Sequence, residues 1–576
     1  MFRRLPPREW NEDADGRSGR YHQQSMSGRP PDVYRPERAT VSTKGLWLLV
    51  FGAASMLYLL TAQRGVSWQD SGMFQWRVAV ADYRGDLGLA LAHPLYIAAG
   101  RALWWITGDN FPLALNAFSG VGMALAAANL AGLIAWLTER RWIGLAVAGM
   151  VTVAHTAWWL STIAEVYTWS VAGLTAELWL LAALVRRPRW SLLAWLAMIN
   201  GLGLCVHNFA LLPLPVYVLF AAWMVRQRRL PAWSLAAAGA AWLLGAGLYL
   251  LFIAELAIES GSVRAAVGSA LFGHAFRDTV LTLDAGAARW KENLALTTLN
   301  FASVLLPLAV FGWIRFGRVL ARPLAVVYGA VTAVHLVFFI RYPVPDQFTF
   351  FLPSLVMIAL AAGIGAEALA RRSTGWRRAV AVAAAASVVL GPAFHAAGPW
   401  IARRAGAGIA QRHPARDELR YWIVPWKHNE RSAERFAAVA FSEVLPHGVI
   451  YPDSTAKHVL LLVQRRDGLR PTVDIQHKGW PLPVRTSASG AKTNPDELQQ
   501  DVLTALRCRR LYLVDPPRKY APAWLLRDAK LVATPSGWLH RVVWSNRSRL
   551  SGRRRSSPPA SSSRPRPHRS EERRVG

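Results

Sequence analysis

The chain has 576 residues, 53% of them hydrophobic, with 27 Trp and a mean hydropathy of +0.20. It is too apolar and too long for one water-soluble core, which points to a polytopic membrane protein. The net charge of +31 does not signal nucleic acid, because the Arg falls in short clusters between apolar runs and in both tails, and no aromatic-studded basic stripe is present.

Residues 1–44 are polar and Arg-rich, with no short apolar core and small-residue cleavage site. They read as a basic cytoplasmic tail leading into a retained anchor. About 20 apolar residues cross a bilayer as a helix. Runs of that order occupy 45–62, 111–137, 142–160, 168–185, 190–206, 209–225, 231–254, 297–314, 323–340, 349–369 and 379–397, so about eleven spans are expected. "LGLALAHPLYIAAGRALWWIT" (87–107) is apolar too, but counting it as a span breaks the alternation downstream, and it is expected to lie on the outer surface as a juxtamembrane helix. Basic clusters stand at "TERRW" (138–142), "RRPR" (186–189), "RQRR" (226–229), "RFGRVLAR" (315–322) and "RRSTGWRR" (371–378). Placed in the cytoplasm, they pair off the spans and leave 63–110, 161–167, the His207 turn, 255–296, 341–348 and everything after about 398 facing outward.

Beyond about 398 the character changes. "GVIYPDS", "HVLLLVQ", "TVDIQ" and "RRLYLVDPP" are short apolar runs between turn residues, and "NPDELQQDVLTAL" reads as a capped amphipathic helix. A small extracytoplasmic α/β domain over 415–546 is expected, after a transmembrane domain over 45–398. Residues 547–576 are Arg/Ser/Pro-rich, cannot bury a core and are expected to be disordered. Cys205 and Cys508 lie in different regions and give neither a disulfide framework nor a metal-ligand spacing.

On this topology the polar residues set in apolar context gather at the outer boundary. Asp70 follows the first span, Glu165 and Tyr167 sit in "LSTIAEVYTWS", His207 and Asn208 in "GLGLCVHNFALL", and Arg341 and Asp346 in "FFIRYPVPDQFTFFLPS". Ionisable groups at membrane depth are costly and usually pair or line a cavity. Plainer roles stay open for each. Asp70 would cap a helix starting at Ser71, Glu165 would serve the tight turn, His207 and Asn208 would satisfy backbone groups freed in a Gly-rich turn, and His93-Pro94 would be a helix entry. Asp346 would be a turn residue, and the many Trp an interfacial belt.

"DSGMF", "GLALAHPLYIAAGRAL", "WWLSTIAEVYT", "GLGLCVHN" and "VPDQFTFFLPSLVMIALAAGIGAEAL" occur in the order of a bacterial membrane family related to protein O-mannosyltransferases. The resemblance covers roughly 45–370, and "VIYPDSTAKHVLLLVQRRDGLRP" looks like the family's soluble tail. That family is similar in layout to the C-type glycosyltransferases, which implies an all-α polytopic fold of this type with the α/β domain at its C-terminus. The chain departs from the pattern at Met73, where relatives carry a second acid, at the shortened "HPLY", and at Cys205-Val206-His207-Asn208.

The resemblance implies a glycosyltransferase of the cytoplasmic (inner) membrane. A sugar, a hexose such as mannose, would pass from a polyprenyl-phosphate donor to a hydroxyl of a protein or glycan acceptor, with inversion. Asp70 would be the general base, and Glu165, counted with it as catalytic, would orient the sugar or the acceptor hydroxyl. Tyr167 would help orient the sugar or acceptor, and Arg341, Arg101 and His207 would face the leaving phosphate. His93, Asn208 and Asp346 complete the expected binding set. No cofactor is required by this reading; a divalent metal could lie between carboxylates and phosphate, but no ligand set is legible. The rival classes are a transporter or flippase of an anionic lipid head group, and a scaffold working through its soluble domain.

Overall fold

In lipid every backbone N–H and C=O must be satisfied within the segment, so long Ala/Leu/Val runs fold as helices. The computed structural model describes residues 43–274, 276–282, 287–342, 344, 347–406, 408–409, 411, 413–476, 510–521 and 523–544. Both polar tails, the "NPDELQQDVLTAL" segment and Asp346 lie outside the described residues.

The membrane part opens with α1 (Thr43–Thr61), α2 (Gln69–Val80), α3 (Pro94–Thr107) and α4 (Phe111–Thr138). There follow α5 (Arg141–Thr152), α6 (His155–Leu160), α7 (Tyr167–Arg186), α8 (Trp190–Val206), α9 (Leu214–Arg226) and α10 (Trp233–Ser260). Next come α11 (Val263–Phe272), α12 (Arg277–Leu281), α13 (Ala287–Asn300), α14 (Leu305–Val319), α15 (Arg322–Arg341), α16 (Leu352–Ala370) and α17 (Thr374–Arg404). Among the described residues eight helical segments are long and apolar enough to cross a bilayer, and α13 with α14 form a ninth candidate bent by 98°. The remaining two of the eleven expected runs are the shorter apolar helices α5 and α8. The chain is thus a multi-pass integral membrane protein.

One detail differs from the expectation. The 87–107 segment is not one helix: a 3-10 turn at Leu89–Leu91 precedes α3, and the chain turns at His93, which has a left-handed φ of 50°. The apolar stretch from Pro94 to Thr138 is 45 residues long. As one straight helix it would run ~68 Å, about twice a bilayer core, and Gly108, at φ 54°, breaks it.

Glu367 of α16, 1% exposed, pairs with both Arg140 and Arg371, while Arg186 stacks over Trp136 at 5.1 Å. The basic clusters at 138–142, 186–189 and 371–378 therefore gather at one end of the bundle. At the other end of α4, Asn116 donates to the Gln63 carbonyl at 2.8 Å. Between the ends, Glu177 of α7 accepts from the Tyr217 hydroxyl (2.9 Å) and Asn200 Nδ2 (3.2 Å), which satisfies a carboxyl at membrane depth. α8 and α10 cross where a Cβ added to Gly201 would stand 2.4 Å from the Trp242 carbonyl, so only glycine allows that approach.

After α17, the helices α18 (Glu418–Ile423) and α19 (Ser432–Glu443) lead into β1 (Val449–Tyr451), α20 (Ser454–Asp467), β2 (Asp474–Ile475), β3 (Leu511–Val514), β4 (Ala529–Ala533) and β5 (Leu539–Trp544). The sheet order is β2-β1-β3-β5-β4, with β1 parallel to β2 and β3, and β5 antiparallel to β3 and β4. "HVLLLVQ" is not a strand. It is the middle of α20, started by Asp453, whose carboxylate accepts from the Ala456 N–H. A continuous apolar run cannot by itself tell a strand from a helix buried on all sides. Val459 to Val463 are all buried, because α20 packs against α2 as well as α19.

Candidate active site

The loop between α1 and α2 is held by a buried polar network. Ser67 N–H donates to Gln75 Oε1 (2.9 Å), Gln75 Nε2 to Asn116 Oδ1 (3.0 Å), and Gln63 Nε2 to the Val66 carbonyl (2.7 Å). Fully satisfied networks of this kind fix one geometry. Trp68 follows, its Nε1–H donating to Ser432 Oγ at 2.8 Å, with its ring centroid 4.1 Å from His413 and 5.6 Å from Phe436. Trp68 occupies the N-cap position of α2 without capping it through its side chain. Asp70 therefore lies inside the first turn rather than at the cap, where the helix dipole favours an anion. Gln69 before it has φ 56°, a left-handed conformation costing ~1–3 kcal/mol for a non-glycine residue and typical of functional sites.

Two cavities meet at this point. One, of about 170 Å³, is walled by rings of Trp68, Trp159, Phe348, Tyr421 and Trp422, with Ser454 and Thr455 of α20 and Thr349 around it. The other, of about 290 Å³, is mostly apolar: Phe74, Leu212, Leu271 and Phe350 stand among its walls, with His93 and His207. Asp70 and Glu165 line both. Asp70 is exposed to this space, whereas Glu165 is 5% exposed and accepts from Ser71 Oγ at 3.0 Å. The Glu165 turn is itself pinned, since its N–H donates to Ser119 Oγ (2.8 Å) and its carbonyl accepts from the same hydroxyl (3.0 Å).

In the apolar cavity His93 and His207 stack face to face, 5.2 Å apart and 8° from parallel. His93 Nδ1 lies 2.8 Å from the Val206 carbonyl, so that nitrogen carries the proton. His207 Nδ1 accepts from the Phe209 N–H at 3.0 Å, which leaves the proton of the neutral ring on Nε2. Both residues lie between helical spans. Burial, with the nearby Arg77 charge, pushes His93 down to about 3, and burial with His93 alongside pushes His207 well below its usual value. The pair is uncharged at neutral pH and offers one hydrogen-bond donor and one acceptor rather than a cation.

The structure brings Asp70, His93, Glu165, Tyr167, His207 and Asn208 to one cavity. Tyr167 packs 5.0 Å from His207, and Asn208 Nδ2 donates to the Ala270 carbonyl. Arg341 stands at the edge, donating to the Thr282 carbonyl (2.8 Å) and 5.9 Å from the Phe338 ring, which lines the cavity. Arg101 is elsewhere: its guanidinium lies 4.0 Å over Trp104 and donates to the carbonyls of Val78 and Ala79. Asp346 lies outside the described residues. Among the described residues no group of three or more His, Cys, Asp or Glu is placed to hold a metal ion. A divalent ion at Asp70 would have one further carboxylate and a few hydroxyls, a thin set against six to eight oxygens for calcium, whereas magnesium takes one or two carboxylates together with a phosphate and water.

Sequence reasoning missed the aromatic wall and Arg77. With 27 Trp in the chain, no local signal separates Trp159 or Trp422 from interfacial tryptophans. Arg77 did carry a signal, a lone charge in "FQWRVAV". Its buried guanidinium binds the carbonyls of Asp82, Leu91 and Ala92 and so fixes the entry to His93.

No known family profile matches the chain, and no curated protein does. Solved structures do. ArnT from Cupriavidus metallidurans bound to undecaprenyl phosphate is 13% identical, with a TM-score of 0.56 over 86% of this chain and 97% of that one. ArnT from the same organism in the apo state is 14% identical, with a TM-score of 0.52 over 87% and 98%. The likeness shows the fold, which is the C-type glycosyltransferase-like architecture.

Proposed function

We propose that this protein is a membrane glycosyltransferase that moves a sugar, a hexose such as mannose, from a polyprenyl-phosphate donor to a hydroxyl acceptor. The observation that carries the reading is that Asp70 and Glu165 line both an apolar and a polar cavity, within a fold shared with a protein that binds undecaprenyl phosphate. A polyprenyl chain fits the apolar cavity and a hydroxyl acceptor the polar one, so the reacting atoms would meet at the two carboxylates. With the basic clusters in the cytoplasm, the cavities open on the extracytoplasmic side and the domain over 415–546 lies there too.

The step balances simply. Asp70 takes the acceptor O–H proton as that oxygen attacks the anomeric carbon. The C–O bond to phosphate breaks and its electron pair leaves with the polyprenyl phosphate, which inverts the anomeric centre. Base assistance of this kind contributes ~10²–10⁴-fold. Glu165, held by Ser71, orients the acceptor or sugar hydroxyls. The His207 Nε2–H and Tyr167 would donate to the departing phosphate, with Arg341 at the edge.

The test is release of labelled sugar from polyprenyl-phosphate-hexoses by purified protein, wild type beside Asp70→Asn. Turnover lost at least a hundredfold in a folded variant supports the reading. Equal turnover would move the base to Glu165. No turnover with any donor would favour the transporter.

A further inference from the structure

The transferase reading puts an acceptor hydroxyl in the polar cavity beside Asp70 but does not say what molecule carries it. We propose that this cavity is a carbohydrate subsite that takes an uncharged glycan, with a sugar ring against the Trp159–Trp422 wall and its hydroxyls toward Asp70, Glu165 and α20. Calling that glycan the acceptor rests on the transferase reading; the subsite itself does not.

The wall is rigid before any ligand arrives. Trp159 and Trp422 stack at 5.5 Å and 10°, and Phe348 stands edge-on to them at 4.9 and 5.7 Å. Each indole is tied down: Trp159 Nε1–H donates to the Tyr421 carbonyl (3.1 Å) and Trp422 Nε1–H to Glu418 Oε2 (2.9 Å). Behind them the buried Lys427 ammonium donates to the Tyr421 and Val424 carbonyls and fixes the turn that presents Trp422. Preorganised apolar surface binds with little ordering cost. The other side of the cavity is polar, with two carboxylates and the hydroxyls of Ser71, Thr349, Ser454 and Thr455. A pyranose has matching chemistry, with C–H faces for the rings and a hydroxyl rim for the oxygens.

The lining also selects against other ligands. Among the described residues no Lys, Arg or His lines it, and two carboxylates disfavour an anion. Extended peptides are commonly bound by adding to a sheet edge, yet among the described residues no strand of the C-terminal sheet contributes to this lining. A lipid chain belongs to the apolar cavity next door. The C-terminal domain is thereby part of the site, since α20 brings Ser454 and Thr455 to it while packing against α2.

The experiment is saturation-transfer NMR on the full-length protein in nanodiscs, without donor. The probes are neutral gluco- and manno-oligosaccharides, a glucosamine oligomer, a galacturonic acid oligomer and a Ser/Thr-rich peptide. Saturation of a neutral oligosaccharide is expected, weakened ~10-fold or more by Trp422→Ala and a few-fold by Ser454→Ala, and unchanged by Trp195→Ala on the exposed face of α8. Ser454→Ala guards against misfolding of the Trp422 variant. Binding confined to the amino or acidic oligomer or to the peptide, no carbohydrate signal, or a signal insensitive to both cavity variants overturns the proposal. Sugar release from polyprenyl-phosphate-hexose is measured on the same samples. Donor turnover without neutral-glycan binding sinks the subsite alone, whereas glycan binding without donor turnover sinks the transferase reading alone.

Discussion

The two cavities differ in everything except the residues they share. One is lined mainly by aliphatic and phenyl side chains with a stacked, uncharged imidazole pair; the other by indoles, hydroxyls and carboxylates. They also differ in origin. Among the described residues the apolar cavity is built from the helical part, whereas α18 and α20 complete the polar one. The contrast teaches that one pair of carboxylates can stand between surroundings of opposite solvent preference, one suited to apolar groups and the other to hydroxyl-bearing ones.

The largest effect that would break this division is at the shared residue. Asp70→Asn is expected to cut transfer ~10²–10⁴-fold with thermal unfolding unchanged, read by product formation beside a melting curve.

The imidazole pair gives the next. His93 titrates near 3 in the folded protein against 6.5 when exposed, so between those values the unfolded chain binds more protons. Stability is then full above pH 6.5 and falls as the pH drops, by ~1.4 kcal/mol per unit for this group. Thermal unfolding of wild type and His93→Gln at pH 7 and pH 5 should show a slope smaller by about that amount in the variant, the other buried imidazoles keeping the rest. A variant slope no smaller than the wild type's would mean that His93 is charged in the folded protein, and the apolar cavity would lose its uncharged character.

Leu271→Asp, at a half-exposed position on the wall of the apolar cavity, should raise the donor KM about tenfold, since each buried CH₂ contributes ~0.8 kcal/mol. Acceptor affinity should not move. The reverse pattern is expected of Thr455→Val: a two- to fivefold rise in acceptor KM, roughly 0.5–1 kcal/mol for one hydroxyl, with donor hydrolysis intact. If both variants shift both constants, the two cavities act as one.

Much of this molecule was legible in its sequence, and for a definite reason. Apolar length sets helices in lipid, and eight of the eleven expected runs coincide with helices able to cross. Costly polar residues at helix ends marked Asp70, Glu165, Tyr167, His207 and Asn208, which the fold brings around one cavity. Motif order fixed none of the contacts between them. Whether "HVLLLVQ" is strand or helix was decided by what it packs against, because a fully buried run has no periodicity to read. Arg101 carries the same charge as Arg341 but spends it on backbone carbonyls away from the site. The tryptophans of the polar wall are identical in local context to those of an interface, and only the return of the chain through α18 and α20, some 250–380 residues from Trp159 and Asp70, places rings and hydroxyls together. Local pattern determines which segments enter the membrane; the union of distant segments into one cavity depends on long-range packing, which no window of sequence contains.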